Sequence, residues 1–131
     1  MPVQKAFEYG DNYKQKHVTK NTKETINALR DVVHENAVEH GWHSQPREFG
    51  TLCMLMVSEI CEAFEEHRDH RKPNEVYHVD GKPEGIPIEL ADCIIRILDY
   101  CGHKKIDIGS AIETKHIYNI SRSYRHGNKA C

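Results

Sequence analysis

Met54–Arg68 (MLMVSEICEAFEEHR) and Ile86–Tyr100 (IPIELADCIIRILDY) decide how this chain folds. Each is an apolar run with helical spacing that carries two acids three residues apart: Glu59 and Glu62 in the first, Glu89 and Asp92 in the second. On a helix such a pair has its Cβ atoms about 5–6 Å apart and points in one direction. At an effective dielectric near 20, two like charges at that distance repel by roughly 3 kcal/mol. A surface helix tolerates the repulsion because water and salt screen it, and a solvated face is the ordinary fate of a lone Glu-x-x-Glu. Here both pairs are embedded in Ile, Leu, Cys, Met and Ala, so neither helix can expose much of its circumference. The expectation is a shared cleft into which four carboxylates converge, neutralised by a hard divalent cation, Mg²⁺ before others.

The rest of the chain sets the scale. One domain is the natural count for 131 residues, large enough for a core and small enough for oligomerisation to supplement it. A net charge of −2 argues against non-specific nucleic-acid binding as the main activity. The charge is uneven, because no acid follows Glu113 whereas Lys115, Arg122, Arg125 and Lys129 do, with His116 and His126. Five cysteines stand at 53, 61, 93, 101 and 131 without a C-x-x-C pair, so a structural zinc site of the usual spacing is not expected. Cys53, Cys61, Cys93 and Cys101 fall on apolar helical runs, where free thiols act as small buried hydrophobes. Free thiols suit a reducing, cytoplasmic compartment. No signal peptide or span-length apolar segment is evident, so a soluble chain without membrane association is expected.

Residues 1–20, with Phe7, Tyr9 and Tyr13, lack periodicity and read as an N-terminal arm ahead of a domain over 21–131. Asn21 to His40 reads as a first helix, with Asn21 and Glu24 as a capping box, Ile26, Leu29, Val33 and Ala37 as the apolar stripe, and Gly41 as the stop. Pro46 suits the first turn of a second helix that runs to about Arg68 or His70, with Phe49, Leu52, Leu55, Met56, Ile60 and Phe64 as core. Pro73, Gly81, Pro83 and Gly85 break 71–85 into a loop, with room for a small hairpin before Asp80-Gly81. A third helix begins at Ile86 or Pro87 and stops at Gly102. Its polar residues Glu89, Asp92, Arg96 and Asp99 share one face, the last two as a polar seam or as an ion pair. Asp107 caps a fourth helix, on which Lys115, Asn119 and Arg122 stand at i, i+4 and i+7. Such a row is either a solvated basic face or, opposite an acidic metal cluster, a surface for polyphosphate. Antiparallel helices with short loops make an all-α, four-helix bundle-like architecture.

Glu59-x-x-Glu62, a gap over 63–88, Glu89-x-x-Asp92 and then Lys115, Asn119 and Arg122 resemble the MazG-like all-α nucleoside triphosphate pyrophosphohydrolases. Trp42 with Gln45-Pro46-Arg47, Ser58-Glu59-Ile60-Cys61-Glu62 and Glu89-Leu90-Ala91-Asp92 carry the same resemblance, which extends over about 21–126. The segment 122–127 is similar to a subset of such proteins, and the 71–85 loop is longer than in many of them.

The resemblance implies a MazG-type bundle completed by oligomerisation as a homodimer or homotetramer. It implies Mg²⁺-dependent hydrolysis, with Mn²⁺ as a substitute, of a nucleoside or deoxynucleoside triphosphate to the monophosphate and pyrophosphate, a form of nucleotide-pool housekeeping. Glu59, Glu62, Glu89 and Asp92 would hold the metal, which can bridge phosphate oxygens and acidify a water. Glu59 or Glu62 would take the proton from that water. Lys115, Asn119 and Arg122 would bind the outgoing pyrophosphate, and Trp42 would stack on the base, with Asn36, His43 or Gln45 as selectivity neighbours. Packing at the bundle end is the competing role for Trp42.

Two other readings are open to the same residues. A di-iron bundle needs two Glu-x-x-His motifs on facing helices, and of the two matches Glu113-x-x-His116 is helical whereas Glu75-x-x-His78 lies in the broken loop. A non-catalytic helical module that binds nucleotides or another protein is the second alternative. His67-x-x-His70, at a charged helix end, reads as solvated.

Overall fold

The structure, a computed structural model, describes residues 17–125. Phe7, Tyr9 and Tyr13 of the expected arm lie outside the described residues, as do His126, Lys129 and Cys131. Four helices and one hairpin follow in order: α1 (Lys20–Glu39), α2 (Phe49–Arg68), β1 (Tyr77–Val79), β2 (Lys82–Glu84), α3 (Ile86–His103) and α4 (Ile108–Ser121). The chain is therefore mostly helical, with a small two-stranded sheet inserted between α2 and α3. None of the described helices is long and apolar enough to cross a membrane. The chain separates into two units, Met1–Asn27 with Asp107–Cys131, and Ala28–Ile106.

In the Ala28–Ile106 unit, α2 and α3 pack along each other. They run antiparallel: the Phe49 ring at the start of α2 meets Tyr100 late in α3 at 4.7 Å between centroids, while Arg96 bonds Glu59 further along. Ala63, Cys93, Leu98 and Cys101 are the buried apolar side chains. Phe49, Ile60 and Phe64, expected in the core, are exposed, as are Cys61, Leu90 and Ile94. Two helices cannot enclose apolar residues around their whole circumference, so the second apolar stripe of each is left facing out.

The helix ends follow local chemistry. Gly41, in the left-handed conformation, closes α1 as expected: Trp42 N–H reaches Ala37 O and Gly41 N–H reaches Val38 O, the paired bonds of a Schellman stop. The expected Asn21 cap is corrected, because the hydroxyl of Thr19 accepts from Thr22 N–H and α1 begins one residue earlier. Pro46 is not in α2. The chain stays non-helical through Glu48, and Arg47 is thereby held over the Trp42 ring, 5.6 Å from its centroid.

Gly102 does not stop α3, which continues to His103 and is closed by Lys105 in the left-handed conformation and by Ile106 N–H bonding Cys101 O. Glycine is required at 102 for another reason: a Cβ there would overlap the Cβ of His34. The expected hairpin forms with Val79 paired to Lys82. Its two-residue Asp80-Gly81 loop has both residues at positive φ, the geometry that the right-handed strand twist favours.

In the other unit, Asp107 caps α4 by accepting from Ser110 N–H, as expected. Asn27 holds that turn from both sides, donating to Asp107 and accepting from Gly109 N–H. Lys23 pairs with Glu113 at 2.9 Å.

Candidate functional site

The two acidic pairs of α2 and α3 meet because antiparallel packing sets Glu59 beside Asp92 and Arg96, and Glu62 beside Glu89. Carboxylate oxygens of Glu59, Glu89 and Asp92 lie within 4.8 Å of one another. Glu59 and Glu89 are 6% and 5% exposed, which is rare for glutamates and makes their surroundings decisive. Glu62 is exposed, outside that tight group but in contact with the Glu89 carboxyl. All four acids singled out by spacing therefore face one region.

The hairpin contributes what the sequence pattern does not show. Glu84 at the end of β2 comes against Glu89, and Glu66, one turn past Glu62 on α2, joins Glu84 and Glu89 in a second group of carboxylate oxygens within 4.8 Å. The signal for Glu66 is its spacing, i+7 from Glu59 and i+4 from Glu62, the same helix face. Glu84 has no such signal, because a strand pairing across 71–85 places it. The hairpin is fixed to α2 by Tyr77, whose hydroxyl donates to Glu66 Oε1 at 2.8 Å. Arg71 lies 3.8 Å over the Tyr77 ring and pairs with Glu75 at 2.9 Å.

Six carboxylates gather here, against Arg96 on Glu59 at 2.7 Å, Lys82 on Glu84 at 2.8 Å and, more distantly, Arg71 at 3.9 Å from Glu66. Counted formally, acids exceed bases by three, six against three. The strain falls on Glu89. Burial, the Glu62 carboxylate and Glu84 together push its carboxyl up to about 8. Asp92 is also raised, by burial first and then by Glu59, with Arg96 opposing. A group of hard oxygen donors whose charges repel one another could hold a hard divalent cation.

A cleft of about 460 Å³ opens next to the acids. Asp92, Arg96 and Asp99 line it from α3, Val32, Val33, Asn36 and Ala37 from α1, and Trp42 and Arg47 from the connection. Trp42 is 61% exposed and is part of the cleft wall, and of its expected neighbours Asn36 lines the same wall. Arg96 and Asp99 do not pair with each other. Arg96 takes Glu59, and Asp99 accepts from His34 Nδ1 and His43 Nε2, both at 2.8 Å. The histidine partners were missed because α1 and the connection reach α3 only through tertiary packing.

Lys115, Asn119 and Arg122 lie in the other unit. Lys115 and Asn119 share a face of α4 and line a shallow depression with Ile108, Ile112 and His116. Arg122 is not on that helical face: α4 ends at Ser121 and Arg122 caps it with extended backbone. Its guanidinium instead lies 5.6 Å from the centre of the Tyr118 ring, where Lys115 also sits at 4.7 Å. Of the di-iron residues, Glu75 and His78 lie outside the helices, with Glu75 held by Arg71. Comparison of the chain with protein-family models, curated proteins and solved structures finds no match.

Proposed function

We propose that this protein is a MazG-like nucleoside triphosphate pyrophosphohydrolase whose site is the carboxylate group between α2 and α3. The observation that carries the reading is the convergence of Glu59, Glu89 and Asp92 oxygens within 4.8 Å, next to a cleft walled by Trp42 and Asp92. Glu59, Glu89 and Asp92 would hold the divalent ion, with Glu62 beside them. When bound, Mg²⁺ supplies charge neutralisation for a polyphosphate and a more acidic water.

Phosphoryl chemistry asks the protein mainly for positioning and electrostatics. Glu89 is pushed up to about 8 and Asp92 is raised, each by burial first, so positive charge placed beside them favours their ionised forms. Glu59 Oε1 is engaged by Arg96, whereas Glu62 is exposed beside Glu89, so Glu62 is the acid assigned to accept the proton of the attacking water. The cleft takes the nucleoside, with Trp42 on the base and Asn36 as a hydrogen-bonding neighbour. Lys115, Asn119 and Arg122 keep their phosphate-binding role on the resemblance alone.

Oligomerisation belongs to the same reading. Met54, Val57 and Phe64 on α2 and Ile94 and Ile97 on α3 are exposed, and exposed apolar side chains grouped on two packed helices suit a protein–protein contact. We assign these stripes to contacts that complete a MazG-type bundle in a homodimer or homotetramer.

The test is product analysis. Purified protein is incubated with a panel of ribo- and deoxyribonucleoside triphosphates and Mg²⁺, and the products are resolved. Monophosphate and pyrophosphate in equal amounts are expected, lost in Glu62→Gln and Asp92→Asn while the helical circular-dichroism signal persists. Release of orthophosphate, or no turnover with any triphosphate, removes the assignment; nucleotide binding without turnover leaves the non-catalytic module.

A further inference from the structure

At Asp99, which lines the same cleft as Trp42, three potential ligands from three parts of the chain converge. His34 comes from α1, His43 from the connection after it and Asp99 from the penultimate turn of α3. One nitrogen of each ring lies 2.8 Å from the same oxygen, Asp99 Oδ1, and the three groups offer ligand atoms within 4.8 Å of one another. The three side chains are 24%, 15% and 18% exposed, so solvent competes only weakly for them. We infer that His34, His43 and Asp99 form a metal site separate from the carboxylate group, one that selects a borderline transition-metal ion such as Zn²⁺ over Mg²⁺.

The donor set argues for the kind of ion. Two imidazoles and one carboxylate suit zinc and its neighbours, whereas the acids around Glu89 offer oxygen alone. With metal–ligand bonds of about 2.0–2.1 Å, tetrahedral donors stand about 3.3 Å apart. The two nitrogens are already 2.8 Å from Asp99 Oδ1, so an ion entering between them asks for a separation of about half an ångström. Each histidine would switch tautomer, the hydrogen that faces Asp99 leaving to solvent and the other ring nitrogen taking one up, so that the facing nitrogen's lone pair turns to the ion with the ring still neutral.

The surroundings hold the ligands in place. Gly102 allows α3 to close on His34, since any Cβ there would overlap it. The His103 ring stacks on His43 with centroids 4.5 Å apart and planes at 27°, and the His34 and His43 rings meet edge to face at 4.8 Å. A cavity of about 30 Å³ is lined by His43 and Asp99 among others, room enough for water as a further ligand.

Zinc and cobalt binding to the chelator-stripped full chain tests the site without reference to turnover, so its failure is distinct from failure of the nucleotide reading. One equivalent of Zn²⁺ is expected, with Co²⁺ giving the intense visible absorption of a four-coordinate ion and excess Mg²⁺ displacing neither. His43→Ala and Asp99→Asn should each weaken binding by about a hundredfold or more, since even losing a partner of a ligand costs 10–100-fold. Glu59→Gln should bind as the wild type does. Should either site variant fail to fold, nitrogen NMR of the wild type decides: Zn²⁺ must shift the ring nitrogens of His34 and His43 and leave His67 and His78 in place. No saturable binding, binding unchanged in both site variants, loss in Glu59→Gln, or unmoved His34 and His43 signals would each overturn the proposal.

Discussion

Arg96 Nε donates to Glu59 Oε1 over 2.7 Å, so a nearly buried carboxylate of α2 takes its positive partner from α3, one turn past Asp92. Arg96 is the only base in direct contact with the Glu59–Glu89–Asp92 group among the described residues. It therefore occupies part of the charge that a divalent ion would otherwise compensate.

Arg96→Met is expected to tighten Mg²⁺ binding by about tenfold, some 1.4 kcal/mol, because the group becomes more negative by one charge at close range. Without divalent ions the same variant should melt at a lower temperature, since Glu59 is left buried and unpaired. Calorimetric titration and thermal unfolding with and without Mg²⁺ give both numbers. Weaker Mg²⁺ binding in the variant would mean that Arg96 orients Glu59 and does not compete with the ion.

Glu89 ties stability to pH. Its carboxyl titrates near 4.5 when unfolded and is pushed up to about 8 in the fold, by burial first and then by Glu62 and Glu84. The folded state binds this proton more tightly, so the contribution is fully present below pH 4.5 and is lost as pH rises through 8. At about 1.4 kcal/mol per unit, the interval corresponds to roughly 5 kcal/mol. Urea unfolding without divalent ions should therefore show the wild type losing stability from pH 5 to pH 8 relative to Glu89→Gln. Mg²⁺ should reduce that difference, because a cation favours the ionised form. Parallel pH profiles for the two proteins would show that Glu89 is ionised throughout.

Gly85 links the hairpin to the site, standing between Glu84 and α3 with φ at 125°. A Cβ at this position would overlap the carbonyl oxygen of Glu75, and the backbone conformation itself costs a side chain about 1–3 kcal/mol. Gly85→Ala should lower stability by about 2 kcal/mol or more and should weaken Mg²⁺ binding, because Glu84 and Lys82 shift with the strand. Gly81→Ala is the control, since its φ of 83° is also positive but the space around it is open. It should destabilise through backbone strain and leave Mg²⁺ affinity near the wild-type value. Equal Mg²⁺ affinities in both variants would detach the hairpin from any metal binding at the carboxylate group.

The parts of this arrangement that were legible in the sequence are the local ones. The acid spacing on α2 and α3, the Gly41 stop, the Asp107 cap and the Asp80-Gly81 turn each depend on neighbours within one helical turn or one loop. Glu84, the His34–His43–Asp99 contacts and the Arg96–Glu59 pair depend on which elements pack together, and no periodicity encodes that. Gly102 is the instructive failure: glycine after an apolar helical run reads as a stop, yet here it serves a close approach to His34, and a lysine three residues on takes the left-handed position. Phe49, Ile60 and Phe64 show the converse, apolar residues at helical spacing that the α2–α3 pair has no partner to cover.

Trp42 separates the cleft from the scaffold most directly. It lines the cleft with Asp92, remains 61% exposed and carries Arg47 5.6 Å from its ring centre. A ring packed only to close a bundle end would be covered, whereas this one presents area to an opening of about 460 Å³. Stacking a base on such a ring contributes about 1–3 kcal/mol and tolerates any base, so Trp42→Ala should raise the Michaelis constant roughly 5- to 150-fold with little change in unfolding temperature. Trp42 is the only tryptophan, which makes its emission a single-site reporter. Titration of a non-hydrolysable triphosphate with Mg²⁺ should quench it saturably, and Asp92→Asn should shift the midpoint to higher nucleotide concentration without altering the final quench. A spectrum unchanged at saturating nucleotide would place the base elsewhere and return Trp42 to a purely structural role.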